Sequence, residues 1–305
     1  GHGMDEQISS PAPYQVSSPS SRQAPLVFAS PHSGQIYPND LMVASNLSRQ
    51  SLRRSADNFV DQIFAAAPRH GAPLLCATYA RAYLDLNREP WELDPQMFDD
   101  VLPAHANTTS LRVAGGLGTI PRLASDGRAI YRGKLDFAEV QERLKRIYFP
   151  YHHCLARMLE ESQTAFGYCL LIDCHSMPST GSFARGRGDG ASTDSVQRAD
   201  IVLGDRFGAA CAPELTDHAH NTLSGLGLRV QRNNPYAGGF TTYHYGRPAT
   251  GVHALQIEIN RRLYMDEDHV VALPGLARIR GAMTTLITAL SSLSAAHFGA
   301  QQAAE

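Results

Sequence analysis

The sequence lacks a long apolar run, a C-x-x-C pair and a block of basic residues. No stretch approaches the roughly 18 apolar residues that a membrane-spanning helix needs, so we expect no membrane segment. The five cysteines form an odd set without metal-binding or redox spacing, which indicates reduced thiols and a cytoplasmic location. The formal net charge is −2, and because phosphate binding needs a clustered basic face, nucleic acid is not an expected partner.

The composition favours a folded protein. Hydrophobic residues make up 43% of the chain and charged residues 18%, and 305 residues are enough to build a sizeable core. Residues 1–24 are rich in Ser, Pro and Gln, so we expect a flexible or wrapping arm there. The residues before Met4 resemble a tag remnant and are excluded from fold reasoning. A single catalytic α/β domain is expected over residues 25–300.

Strand-like and helical segments alternate after the arm, which favours one mixed or largely parallel sheet with helices on both faces. Residues 90–134, rich in Pro, Gly and Asn, are expected to form a long functional excursion. The expected strands are Leu26–Ala29, Leu74–Thr78, Tyr83–Leu86, Tyr168–Ile172, Leu228–Gln231 and Ala254–Ile259. The expected helices are Leu52–Arg69, Leu135–Phe166 and Leu273–His297, with further helix within residues 201–226.

Three apolar runs end in, or enclose, a residue that can bind a metal or move a proton. The run before Pro31 leads to His32, the run LLIDCHS leads to His175, and the run ALQIEI encloses Glu258. In open α/β sheets, ligands bind just beyond the carboxyl ends of the strands. Two imidazoles and one carboxylate delivered by three strands therefore predict a metal hydrolase site, although a single loop histidine often only caps a turn.

A hydrolytic zinc site needs three protein ligands and one open position. Asp57, at the start of the first predicted helix, is the candidate for the third ligand, and Asp61 one turn later is the alternative. Gln35 lies three residues after His32, but glutamine is a poor zinc ligand. An aspartate near a helix N-terminus also caps backbone amides, which is the competing interpretation of Asp57.

Glu258 is the candidate general base. A carboxylate inside an apolar strand is costly unless it is paired or functional, and burial raises its pKa toward the working pH. The competing interpretation is a buried salt bridge with Arg261 or Arg262.

Arginines complete the predicted site. Arg81 and Arg88 flank the segment YLDLN, and a guanidinium can hold a carboxylate or a developing oxyanion. Arg185 and Arg187, in the Gly-rich residues 178–200, are candidates for closing over an acidic substrate. A surface ion pair is the commoner fate of any single arginine.

Taken together, several segments resemble the N-formylglutamate amidohydrolase family over roughly residues 25–295, in the same motif order. The family is similar to zinc carboxypeptidases and to succinylglutamate desuccinylase. The matching segments are PHSG (Pro31–Gly34), the Asp57 region, YARAYLDLNREP (Tyr79–Pro90), LIDCHSMPS (Leu171–Ser179), LGDRFG (Leu203–Gly208) and Asn233–Glu267.

The resemblance implies a three-layer α/β/α fold with a mixed sheet, phosphorylase/hydrolase-like, and one Zn²⁺ per chain. It implies hydrolysis of the amide of a small N-acyl amino acid such as N-formylglutamate. Family members often carry an arginine where this chain has Tyr243, a position that could recognise an acidic side chain. The implied roles are metal binding for His32, Asp57 and His175, catalysis for Glu258 and Arg81, and substrate binding for Asn87 and Arg88.

Two other functions remain open at this point. A zinc peptidase or deacylase acting on another N-acyl amino acid or short peptide would use the same residues. A non-catalytic binding protein on the same fold would differ in lacking bound metal.

Overall fold

Four parallel strands form the centre of a seven-stranded mixed sheet in the computed structural model, which describes residues 10–180, 199–293 and 297–301. In chain order the strands are β1 (Tyr14–Ser17), β2 (Leu26–Ser30), β3 (Leu74–Ala77), β4 (Cys169–Met177), β5 (Ile201–Gly204), β6 (Val230–Arg232) and β7 (Val252–Asn260). Their spatial order is β1-β3-β2-β4-β7-β5-β6. Strands β3, β2, β4 and β7 are parallel, whereas β1 pairs antiparallel with β3 and β5 pairs antiparallel with β7.

Helices surround this sheet. They are α1 (Asn39–Ala44), α2 (Arg49–Arg53), α3 (Val60–Ile63), α4 (Leu111–Ala114), α5 (Phe137–Arg143), α6 (Phe149–Phe166), α7 (Pro213–Gly225), α8 (Phe240–Tyr245) and α9 (Gly275–Ser291). A π-helical turn, Leu144–Tyr148, joins α5 to α6, so the long helix expected over residues 135–166 is present. Two short strands, β8 (Met265–Asp266) and β9 (Val271–Ala272), pair separately. Short 3₁₀ turns occur at Ala67–His70, Pro95–Met97, Pro248–Thr250 and Arg261–Leu263.

The two faces of the sheet are covered by different apolar clusters, because successive side chains of a strand point to opposite faces. In β4, Leu171 packs into the cluster that contains Tyr151 and Leu155 of α6. Its neighbour Ile172 packs into the cluster that contains residues of α7 and α9. All nine residues of β4 are buried, as expected of a central parallel strand. The predicted three-layer α/β/α architecture with a mixed sheet is therefore confirmed.

The expected N-terminal arm is partly ordered into the sheet. Residues 14–17, within the segment 1–24, form strand β1 at one edge, where Tyr14 pairs with Ala77. Arg22 anchors the following residues to α6 by donating to the carbonyl of Met158 at 3.1 Å. Residues 1–9 lie outside the described part of the chain.

Two predicted elements are wrong. The helix expected over residues 52–69 is broken into α2 and α3, because Phe59 adopts a left-handed conformation with φ of 70°. The strand expected at residues 83–86 is a turn, in which the Tyr83 N–H donates to the carbonyl of Ala80 at 3.0 Å. Its apolar side chains are buried in the covering layer rather than in the sheet. Among the described residues, no helix is long and apolar enough to cross a membrane.

Candidate metal and active site

The candidate residues meet at the carboxyl edge of the central strands. His32 follows the end of β2, and His175 lies near the end of β4. Glu258 lies on β7 directly opposite His175 in the strand register. Parallel neighbours thus bring side chains from remote parts of the sequence to one edge.

Asp57 reaches the same place because the chain leaves the helical conformation there. Its backbone N–H donates to the carbonyl of His32 at 2.9 Å, which ties the turn between α2 and α3 to the end of β2. Asp61, the alternative third ligand, lies on α3 outside the group. Burial raises the pKa of the Asp61 carboxyl, with backbone hydrogen bonds acting in the other direction.

Three donor atoms form a nearly equilateral triangle. The Nδ1 atoms of His32 and His175 lie 3.3 Å apart. The Oδ2 atom of Asp57 lies 3.5 Å from the first nitrogen and 3.4 Å from the second. All three side chains are buried. Their donor atoms lie close enough to one another for the three residues to hold one metal ion.

The geometry fits a zinc ion. Ligands at about 2.0–2.2 Å in a tetrahedron lie roughly 3.3–3.6 Å apart, and the observed edges match that range. Oδ2 of Asp57 is buried and makes no hydrogen bond to the described residues. A buried oxygen in that state is costly unless a cation completes it.

A second carboxylate orients each histidine. His32 Nε2 lies 2.6 Å from Oδ1 of Asp85, and His175 Nε2 lies 2.6 Å from Oδ2 of Asp173. With its proton on Nε2, each ring turns the lone pair of Nδ1 toward the triangle. Carboxylate–histidine–metal arrangements of this kind fix the tautomer and raise the basicity of the ligand.

The sequence prediction gave no role to these two aspartates. Each interrupts an apolar run, Asp85 within YLDLN and Asp173 within LLIDCHS. A carboxylate inside an apolar run is the pattern that identified Glu258. The same pattern could have identified Asp85 and Asp173.

The other oxygen of Asp57 has different partners. Oδ1 accepts hydrogen bonds from Arg261 Nη2 and Ser176 Oγ, both at 3.0 Å. Arg262 pairs with Asp200 at 2.6 Å. Arg261 and Arg262 were considered as salt-bridge partners of Glu258. Their described ion pairs are with Asp57 and Asp200, respectively.

The charges of the cluster favour a cation. Burial alone would lower the pKa of His175, but the carboxylates of Asp173 and Asp57 and the charge of Glu258 hold it well above its usual value. Burial alone would raise the pKa of Asp57, but the nearby imidazoles of His175 and His32 and the charge of Arg261 hold it well below its usual range. Positive charge is thus stabilised where the ring nitrogens meet the carboxylate.

Glu258 lies at the margin of the triangle. It is buried, and its Oε1 accepts a hydrogen bond from Gln256 Nε2 at 3.4 Å. Burial would lower the pKa of the Arg81 guanidinium, but the charges of Asp85, Asp57 and Glu258 raise it, so Arg81 faces the same cluster of carboxylates.

Arg81 and Arg88 share one carboxylate. Arg81 Nη2 lies 3.1 Å from Oδ2 of Asp85, and Arg88 Nη2 lies 3.6 Å from the same atom. Arg88 is further fixed by donating to the carbonyls of Leu117 and Asn87, at 2.7 and 2.8 Å. Asp85 thereby connects both guanidinium groups to His32.

Asn87 has a clear structural contact. Its Oδ1 accepts the backbone N–H of Thr241 at 2.9 Å, which attaches the first turn of α8 to the segment before Arg88. A Cβ added at Gly239 would lie 2.5 Å from its Nδ2, so the two segments are in close contact.

Gly34 allows two backbone segments to touch. A Cβ at this position would lie 2.2 Å from the carbonyl oxygen of Tyr79.

The remaining predicted residues lie away from this cluster or outside the described chain. Arg185 and Arg187 fall within residues 181–198, which the structure does not describe. Tyr243 lies on α8 with 65% of its surface exposed, and the Arg206 guanidinium lies 4.9 Å from the centre of its ring.

Solved structures share this architecture. A crystal structure of N-formylglutamate amidohydrolase from Ralstonia eutropha matches with a TM-score of 0.84 and 35% identity, covering 94% of this chain and 98% of that chain. A gene product of Agrobacterium tumefaciens matches with a TM-score of 0.64 and 19% identity, covering 92% and 96% of the two chains, and that likeness concerns the fold alone. Fold and site together define an α/β enzyme of the hydrolase class.

The sequence comparisons identify the family within that class. The N-formylglutamate amidohydrolase family model matches residues 24–265. An N-formylglutamate deformylase of Pseudomonas aeruginosa is 30% identical over 249 residues, which cover 80% of this chain and 84% of the relative. One of Pseudomonas putida is 30% identical over 246 residues, covering 80% and 82%. The chain belongs to the N-formylglutamate amidohydrolase family, as the sequence motifs predicted.

Proposed function

We propose that this protein is a zinc-dependent amidohydrolase that cleaves the formamide bond of an N-formyl amino acid and releases formate and the amino acid. N-formylglutamate is the first substrate to test, because relatives at 30% identity and above carry its name. The observation that supports the chemistry best is the buried triangle of His32, Asp57 and His175.

His32, Asp57 and His175 would hold the zinc ion, since two neutral imidazoles and one carboxylate oxygen are a common catalytic zinc donor set. A bound zinc ion would supply Lewis acidity, which activates water and polarises a carbonyl. The protein's own part is to orient both histidines, and the contacts of Asp85 and Asp173 with Nε2 would do this by turning each Nδ1 toward the zinc ion.

Glu258 is proposed as the general base. Its carboxylate would accept a proton from the attacking water and then deliver it to the departing nitrogen. Its position opposite His175 in the strand register supports this assignment, because a proton carrier must lie close to the attacking water.

Arg81 is proposed to stabilise the oxyanion that develops on the formyl carbonyl. A guanidinium that already faces the carboxylate cluster needs little rearrangement to do so. Arg88 and Asn87 are proposed to anchor a carboxylate of the substrate, which would position the amide for attack. Arg185 and Arg187 stay as proposed substrate contacts from the sequence alone.

The test is a metal-controlled activity screen. The chain is stripped with a chelator, reloaded with zinc, and assayed for formate release from N-formylglutamate, with N-acetyl and N-succinyl amino acids beside it. We expect activity to return with about one zinc per chain. Hydrolysis of the longer acyl groups in preference to formyl would favour a deacylase of different specificity, and absence of bound metal would favour a binding protein.

The variant Glu258→Gln separates binding from chemistry. It should retain zinc and lose roughly 10²- to 10⁴-fold in kcat, because the proton acceptor is gone while the ligands remain. His175→Ala should lose zinc together with activity. Full activity in Glu258→Gln would contradict the assignment of the base.

A further inference from the structure

N-formylglutamate has two carboxylates, and the proposed function assigns a partner to one of them. Arg88 and Asn87 are proposed to hold that carboxylate, and Arg81 is proposed to hold the oxyanion. Both guanidinium groups contact Asp85, so together they carry one positive charge beyond that of its carboxylate. A second substrate carboxylate that leaves water without a cationic partner is costly. The residue that recognises an acidic side chain must therefore lie elsewhere.

Arg206 lies in a strained turn that follows β5. Arg206 and Phe207 have φ of 52° and 56°, a left-handed conformation that non-glycine residues rarely adopt. Asp205 fixes this turn, because its Oδ1 accepts the backbone N–H of Gly208 at 3.1 Å and its Oδ2 accepts the hydroxyl of Thr216 at 2.9 Å. Backbone strain that is maintained by surrounding contacts is common where a protein binds a ligand.

The side chain of Arg206 is half-buried beside the start of α8. Its Nη1 donates to the carbonyl of Gly238 at 3.4 Å, and its guanidinium lies 4.9 Å from the centre of the Tyr243 ring. Neither contact neutralises the positive charge, and Arg206 forms no ion pair with the residues that the structure describes. A guanidinium has five N–H donors, so further donors are left for an anion.

Two adjacent glycines lie between Arg206 and a proposed substrate-binding residue. A Cβ added at Gly238 would lie 3.2 Å from Cγ of Arg206. A Cβ added at Gly239 would lie 2.5 Å from Nδ2 of Asn87. The same short segment therefore contacts Arg206 at one residue and the proposed carboxylate anchor at the next.

This glycine segment is also joined to the candidate base. The N–H of Gly239 donates to Oε1 of Gln256 at 3.1 Å, and Nε2 of Gln256 donates to Glu258 at 3.4 Å. With the hydrogen bond from Arg206 to Gly238, three hydrogen bonds lead from the guanidinium to the carboxylate of the base. Arg206 thus lies at the margin of the site, and the side chain of an amino acid extends in such a direction, away from the scissile amide.

We propose that Arg206 is a specificity-determining residue that binds the side-chain carboxylate of an N-formyl dicarboxylic amino acid. The ring of Tyr243 holds the guanidinium in place, while Arg88 and Asn87 hold the other carboxylate. This inference rests on the proposed function, and it adds the residue that selects an acidic side chain.

The first measurement compares kcat/KM for N-formylglutamate and N-formylglutamine, which have nearly the same shape but differ in charge. With the zinc-loaded wild-type protein, the glutamate compound should be favoured at least about tenfold. Arg206→Gln should lower kcat/KM for N-formylglutamate about 10- to 100-fold, mainly through KM, and should lower the value for N-formylglutamine much less. An equal loss for both compounds, or an unchanged preference for glutamate, would overturn the proposal.

Arg247→Gln is the matched control, because Arg247 is exposed, lies two residues beyond the end of α8 and loses the same charge. It should keep the wild-type ratio of the two substrates. An equal fall of that ratio in Arg247→Gln and Arg206→Gln would show a general effect of charge and contradict the proposal. Arg206→Lys keeps the charge and should retain part of the preference. If thermal unfolding shows that Arg206→Gln does not fold, Arg206→Met is the second neutral variant.

Two arginines outside the described residues are rival partners for the same carboxylate. The double variant Arg185→Gln, Arg187→Gln is therefore assayed with the same two substrates. If this variant loses the preference for glutamate while Arg206→Gln keeps it, the proposal is wrong.

Binding measurements keep this test separate from that of the proposed function. Calorimetric titration of both compounds into Glu258→Gln measures their affinities without turnover. Tighter binding of N-formylglutamate that is lost in the double variant with Arg206→Gln supports the role of Arg206, even if the wild-type protein hydrolyses neither compound and the proposed reaction fails. Hydrolysis of both compounds by the wild type, with equal affinities in Glu258→Gln, overturns the role of Arg206 and leaves the reaction standing.

Discussion

Single residues at the site act mainly by orienting other residues. Asp85 and Asp173 decide which nitrogen of each histidine faces the triangle, and Arg261 with Ser176 decides which oxygen of Asp57 is left to face it. The sequence brought forward His32 and His175 because each stands near the end of an apolar run, and Asp57 because it stands at the start of the first predicted helix. It could not choose between Asp57 and Asp61, because both fit the helical spacing and only the break in the helix separates them.

Asp173→Asn should weaken zinc binding about 10- to 100-fold, because the carboxylate that polarises His175 becomes a neutral amide. Competition with a metal-binding dye measures the affinity. Asp205→Asn is the control, because Asp205 is also a buried, hydrogen-bonded carboxylate but contacts Thr216 and Asn233 rather than the triangle. Equal zinc affinity of Asp173→Asn and wild type would show that Asp173 has no role in orienting the histidine.

Tyr148→Phe should lower the free energy of unfolding by about 1–3 kcal/mol. The Tyr148 hydroxyl donates to the carbonyl of Arg88 at 2.7 Å in a buried setting, and the variant removes this buried hydrogen bond. Tyr37→Phe is the matched control, because the buried hydroxyl of Tyr37 makes no hydrogen bond to the described residues. Urea unfolding measures both variants, and a loss in Tyr37→Phe as large as in Tyr148→Phe would contradict the argument.

At the scale of secondary-structure elements, the sequence predicted the central strands correctly but not the segments that cover the site. Strands β2, β4 and β7 are almost entirely buried and rich in apolar residues, a pattern typical of buried parallel strands. The helix expected over residues 52–69 satisfied the apolar spacing of a helix, yet the hydrogen bond from Asp57 to the His32 carbonyl interrupts it. Such contacts join segments that are remote in sequence, so the local spacing of apolar residues does not predict them.

Gly239, directly before α8, lies in close contact with Asn87. Gly239→Ala should displace Asn87, since the new Cβ would lie 2.5 Å from its Nδ2, and should raise KM for the N-formyl substrate about tenfold with a smaller change in kcat. Gly133→Ala is the control, because a Cβ there meets no atom within 4 Å. Steady-state kinetics and thermal unfolding of both variants provide the comparison. Matching KM values would argue against a substrate-anchoring role for Asn87.

At the scale of the whole molecule, the alternation of strands and helices was enough to predict a mixed sheet between two helical layers. The pairing of β1 was not predicted, because a short segment rich in Ser and Pro has no apolar period of its own. Its place depends on the free edge of β3, which exists only once the sheet has formed.

A buried histidine makes the stability of the whole domain depend on pH. His152 of α6 donates from Nε2 to the carbonyl of Leu86 at 2.8 Å, and its Nδ1 lies 2.7 Å from the hydroxyl of Tyr245. Burial lowers the pKa of His152 from 6.5 to about 4, although the hydrogen bond to Leu86 acts in the other direction. Between about pH 6.5 and pH 4, His152 is therefore protonated in the unfolded chain and neutral in the folded chain.

The resulting loss of stability should develop as the pH falls from about 6.5 to about 4 and amount to about 3 kcal/mol, with no further contribution from this group at lower pH. Chemical unfolding of wild type and of His152→Gln at pH 7 and pH 4.5 measures it. The glutamine variant should lose less stability between the two pH values. Identical losses in the two proteins would show that His152 does not carry this dependence.

The carboxylate of Asp85 has a thermodynamic consequence beyond orientation. One of its oxygens contacts His32, a candidate zinc ligand, and the other pairs with the guanidinium groups of Arg81 and Arg88. An anionic substrate that binds those guanidinium groups competes for them with the carboxylate that polarises His32. Binding linkage is reciprocal. Any factor by which the anionic substrate changes the affinity for zinc is therefore also the factor by which zinc changes the affinity for the substrate.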